Sequence, residues 1–152
     1  MPIPPRPFDL TLAREAFANA AELHAEATRR GTPNLTPADL ERMHAINATY
    51  AAAIEDGRVA DAIEADDAFH QILVDVADDP DIRVTAELLG PRLREMDTWV
   101  FTRQALGGRP SSHPAILEAL ADRDGERAAE LVAASFRDAG EALAVAVERR
   151  GR

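Results

Sequence analysis

The stretch VADAIEADDAFHQILVDVA, residues 59–77, decides how the chain folds. Val59, Ile63, Asp66, His70, Leu73 and Ala77 follow one another at steps of three or four, so they share one face of a helix turning every 3.6 residues. A strand would alternate with a period of two, and no segment of the chain does so over a useful length. The run holds neither glycine nor proline, and Asp78-Asp79-Pro80 breaks it. Two of its inward positions, Asp66 and His70, are polar. A carboxylate on a core face carries a desolvation cost of several kcal/mol unless it finds a partner, so this pair calls for an explanation.

The segments on either side have the same helical character. From about Asp9 to Arg30 the chain is rich in alanine and glutamate, and Phe17, Ala20, Ala21, Leu23 and Ala27 form one face of a first helix that Gly31-Thr-Pro-Asn ends. A second helix opens at Thr36-Pro37, a hydroxyl cap followed by proline at the first helical position. Its stripe reads Leu40, Met43, Ile46/Asn47, Tyr50 and Ile54, and Gly57 closes it. A fourth helical segment runs from about Asp81 to Ala105, with an expected kink or break at Gly90-Pro91, where proline removes a hydrogen-bond donor. After the loop at Gly107-Gly108, Ser112 is the expected cap of a short helix, and a last helix runs from Asp124 to the basic end at Arg149-Arg150. The prediction is an all-α chain: an antiparallel bundle of six or seven helices over residues 9–150, preceded by a proline-rich arm at residues 1–8.

Composition agrees and narrows the function. The chain's 152 residues suit one domain; hydrophobic residues make up 46% and aromatics 5%, with alanine prominent, which favours closely packed helices. A net charge of −10 repels a phosphate backbone, so direct nucleic acid binding is not expected. Cysteine is absent, which excludes disulfides and thiolate metal sites. With neither a signal-like start nor a membrane-spanning run, a cytoplasmic protein is the expectation.

Two further polar residues stand on apolar faces. His113 lies one turn before Ile116, Leu117 and Leu120, and Ser135 sits within the stripe Ala128, Leu131, Ala139 and Ala142. A carboxylate with two imidazoles suits zinc, iron, nickel or manganese and leaves coordination positions open for water or an organic ligand. The plainer alternative is a local Asp66–His70 ion pair, with His113 capping its helix. Spacing alone leaves both open. Arg14 is a candidate for binding a ligand carboxylate, against an ordinary solvated position. Trp99, with Leu93 and Met96, belongs to the core or lines a cavity. Tyr50 reads as core, His24 and His44 as ordinary exposed or half-buried histidines, and Asp67 as facing solvent.

The ordered elements Asp66-Asp-Ala-Phe-His70, His113-Pro-Ala-Ile-Leu-Glu-Ala-Leu120 and Asp124-Gly-Glu-Arg-Ala-Ala129 resemble the FCD domain, the effector-binding module of the FadR branch of GntR-type transcription regulators. Thr36-Pro-Ala-Asp-Leu-Glu-Arg-Met43 and Asp78-Asp-Pro-Asp81 support the resemblance, which spans about Thr36 to Leu143, with the first helix matching loosely. It implies a helical bundle enclosing a central pocket, where a divalent metal held by an aspartate, the histidine four residues later and two further histidines helps bind a small carboxylate metabolite. Asp66, His70 and His113 match three of those positions. The fourth falls at Ser135, and neutral serine is a poor ligand. Regulators of this kind carry a winged helix-turn-helix ahead of the domain, whereas only the proline-rich arm precedes Asp9 here; the chain reads as an excised sensor domain or a free-standing relative. A homodimer is a further implication of the resemblance. The alternative function is a stand-alone metal-dependent enzyme, with isomerase, hydratase, cyclase or oxygenase chemistry at the open two-histidine, one-carboxylate site.

Overall fold

The computed structural model describes residues 9–105 and 111–150, with side chains described except at 99–105 and 146–150. The proline-rich arm and the side chain of Trp99 therefore lie outside the described residues. Six α-helices follow one another: α1 (Leu10–Gly31), then a 3-10 turn (Thr32–Asn34), α2 (Pro37–Glu55), α3 (Val59–Ala77), α4 (Pro80–Ala105), α5 (His113–Ala121) and α6 (Gly125–Arg150). Among the described residues there is no strand, and no helix is long and apolar enough to cross a membrane.

Local chemistry sets the helix ends. Asp9 Oδ1 accepts from the backbone N–H groups of Thr11 and Leu12 at 2.8 and 3.1 Å, which satisfies two otherwise orphaned donors at the start of α1. Thr36 and Asp39 form a reciprocal capping box on α2. The turn into α3 uses Gly57 at φ +71°, a conformation that costs glycine little. At α5 the expected cap is displaced by one residue: Ser112 makes no side-chain capping bond, and Ser111 Oγ accepts from the His113 N–H at 3.1 Å.

Gly90-Pro91 does not break the chain. Pro91 lies inside helix α4, so of the expected kink or break the break does not occur. Leu93 and Met96, just beyond it, are buried in one cluster with Ala13, Ala16, Phe17 and Ala20 of α1 and Leu143 of α6. That packing holds the helix past its missing hydrogen bond. A larger cluster joins Met43, Phe69, Leu73, Ile116, Leu120 and Val132, and Phe136 packs against both clusters. Burying a side chain of the size of Phe69 contributes roughly 1.5–3 kcal/mol.

α1 and α6 run antiparallel: Phe17 lies against Gly140, while Arg29 near the other end of α1 pairs with Glu126 at 2.8 Å. The small side chains Ala21, Ala25, Ala129 and Ala133 let these two helices approach closely. α3 also packs against α1, and the helices leave a cavity lined by residues of all six.

Candidate metal and ligand site

The cavity has a volume of about 360 Å³, within the range of roughly 300–1,000 Å³ usual for small-molecule sites. α3 supplies Asp66 and His70 because a four-residue step places both on its inward face. His113, the first residue of α5, is held there by Ser111 and by its ring, stacked on Phe69 at a centroid distance of 3.9 Å.

Nε2 of His113 lies 2.8 Å from Asp66 Oδ1, and Nε2 of His70 lies 3.5 Å from the same oxygen. One donor atom from each of the three residues falls within 4.8 Å of the others, a spacing that could hold a metal ion. Both imidazoles are buried, at 4% exposure for His70 and 2% for His113, while Asp66 is half-buried at the cavity wall. The convergence expected from sequence is therefore present. Ser135 also lines the cavity, on α6.

The hydrogen bonding suits a cation-binding site. His113 Nδ1 lies 3.1 Å from Asn47 Oδ1, so an N–H there donates to the amide and leaves Nε2 directed at the Asp66 carboxylate. Two electron-rich atoms 2.8 Å apart need a proton or a metal between them. His70 Nδ1 is buried without a hydrogen-bond partner, a costly arrangement for an imidazole with a purely structural role. Burial by itself would raise the Asp66 carboxyl, but the imidazoles of His70 and His113 reverse this and hold it well below the usual carboxylate range. An ionised carboxylate among nitrogen donors is the protonation state metal binding requires.

Three residues enter the site that sequence reasoning passed over. His24 is half-buried as expected, but it lines the cavity, stacks on Phe136 at 4.5 Å and stands 5.7 Å from the His70 ring, with its Nδ1 buried and unpartnered. Burial, and then His70, pull its pKa down to about 3, with Asp66 opposing. Its signal was available: His24 continues the steps of three and four through Phe17, Ala20 and Ala21. Asn47 was noted only as part of a stripe. Asp97, four residues after buried Leu93, is itself buried and lines the cavity.

Among the other residues, Asp67 departs from expectation. Asp67 does not face open solvent; it is half-buried, lines the cavity and accepts from Arg94 Nε at 2.7 Å. Burial raises its carboxyl, with Arg94 opposing. Arg14 is exposed, lies 3.9 Å from Glu141 and is not among the residues lining the cavity. Tyr50 is buried as expected, 4.6 Å from the His113 ring, and its hydroxyl is raised by burial and by the nearby Asp66 and Asp97. His44 is exposed.

A helical bundle with an aspartate and two histidines converging on an internal cavity defines a class of ligand-binding domain. The FCD domain family matches residues 15–138, and the chain belongs to that family. The match takes in most of α1, which the sequence reading treated as a loose fit. No curated protein matches the chain.

Proposed function

We propose that this FCD domain is a sensor: it binds a small molecule in the central cavity, beside a divalent metal held by Asp66, His70 and His113. The metal, when bound, supplies Lewis acidity and open coordination positions for a ligand oxygen such as a carboxylate. Asn47 orients the His113 ring through Nδ1, which keeps Nε2 available. Helices α1 to α6 all contribute to the cavity, so a ligand that fits one arrangement of them better than another shifts their equilibrium. A partner or an attached DNA-binding domain reads that shift, as the GntR-type setting of FCD domains suggests.

The observation that supports this reading best is the buried His70, one nitrogen unpartnered and the other 3.5 Å from Asp66 Oδ1, with His113 on the same oxygen. Calorimetric titration of zinc, nickel and manganese into chelator-treated protein tests it. The wild type binds one ion per chain, and Asp66→Asn, His70→Ala and His113→Ala each weaken binding by about a hundredfold or more. Equal binding by wild type and all three variants contradicts the proposal.

A further inference from the structure

Beyond the metal cluster, the cavity wall is acidic. Asp67, Glu87, Asp97 and Asp138 line it in addition to Asp66, and among the described residues Arg94 is its one arginine or lysine. That guanidinium is already engaged, 2.7 Å from Asp67 Oδ2. Asp97 stands out within this set. It is 9% exposed, it lines the cavity from α4, and it has neither a hydrogen-bond nor an ion-pair partner among the described residues. Its helix is held by buried Leu93 and Met96 in the turn that leads into it, so its position is set by the fold.

A buried carboxylate without a partner costs several kcal/mol in ionised form. An unpaired buried polar group calls for a completing partner, such as water, an ion or a ligand. We infer that the ligand carries a positively charged nitrogen that docks on Asp97, in addition to the oxygen donor that reaches the metal cluster. The ligand class is then an ω-amino acid, with an ammonium at one end and a carboxylate at the other, and not a dicarboxylate. This rests on the sensor reading above and deepens it.

The electrostatics of the wall agree. Asp97 is pushed well above the usual carboxylate range by burial, then by Asp66 and Asp67, with Arg94 opposing. The same negative field adds to burial in raising the Tyr50 hydroxyl. A second carboxylate on the ligand would enter this field unpaired, whereas an ammonium relieves it and gives Asp97 a charge-assisted hydrogen bond. The cavity thus combines attraction for one end group with repulsion of the other, which is how a site separates ligands of equal length.

Matched pairs of probes test the inference. Zinc stoichiometry is measured first and reports on the metal reading alone. β-Alanine against succinate, 4-aminobutyrate against glutarate and 5-aminopentanoate against adipate are then titrated into zinc-loaded protein, wild type and Asp97→Asn. In at least one pair the wild type prefers the amino acid by about tenfold or more, and Asp97→Asn removes most of that preference while still loading one zinc per chain. A dicarboxylate preference, a preference that survives Asp97→Asn, or binding of none of the probes to zinc-loaded protein overturns the inference. If zinc does not bind, butylammonium against butanoate on the metal-free protein decides the Asp97 subsite by itself: a butylammonium preference lost in Asp97→Asn upholds it, and any other result overturns it.

Discussion

Nδ1 of His113 lies 3.1 Å from Oδ1 of Asn47, which ties the first residue of α5 to the cavity face of α2. The contact fixes the tautomer and the rotation of an imidazole whose other nitrogen faces Asp66. Asn47→Leu removes the acceptor at similar volume and is expected to weaken zinc binding by about 10–100-fold, measured by competition with a chromophoric chelator. Asn47→Asp keeps an acceptor and restores most of the affinity. A merely structural role for Asn47 would lower stability in both variants and leave zinc affinity alone.

His24 makes the metal-free protein sensitive to acid. Its folded pKa of about 3 lies below the ordinary value of 6.5, so the unfolded chain takes up the proton first. The associated stability is fully present above pH 6.5 and is lost as pH falls toward 3. Between pH 7 and pH 5 this amounts to up to about 2 kcal/mol. Asp97, whose carboxyl is raised, acts in the opposite sense, so the comparison is made within one background. Urea unfolding of chelator-treated protein at the two pH values should give a smaller acid loss in His24→Leu than in the wild type.

Gly31 permits the close approach of α1 to α3. A Cβ there would lie 2.7 Å from Val76 Cγ2 and 3.0 Å from the Leu73 carbonyl oxygen. Because backbone is among the obstacles, Gly31→Ala is expected to cost about 1–3 kcal/mol in urea unfolding. Zinc affinity should fall much less than stability, since the strain falls on the last turn of α3, beyond His70.

Ser135 faces the cavity from α6 at the position where the family resemblance places a fourth ligand. Ser135→His adds a nitrogen donor to the Asp66, His70 and His113 set. Zinc affinity should rise by about tenfold or more, read by the same chelator competition.

Much of the fold was legible because local signals agreed with packing. The steps of three and four in residues 59–77 fix both ends of α3 and its inward face, and Thr36-Pro37 fixes the start of α2. The Asp66, His70 and His113 convergence was legible for the same reason, as polar residues repeated on faces otherwise apolar. What escaped was decided at long range. Gly90-Pro91 reads locally as a kink or a break, yet contacts from α1 and α6 carry the helix through. Asp67 was assigned to solvent because its helix position is off the apolar stripe, but α4 brings Arg94 across 27 residues to cover it. Asp97 stands four residues after Leu93 with no local motif, and only the closing of the bundle turns it into a wall of the cavity.

The most direct test of the metal-binding centre is elemental analysis of protein purified without an affinity metal, wild type beside His70→Ala and His113→Ala. Near-stoichiometric zinc, nickel, iron or manganese in the wild type, lost in both variants while helical content is kept, is the predicted result. The same metal content in all three proteins would contradict it.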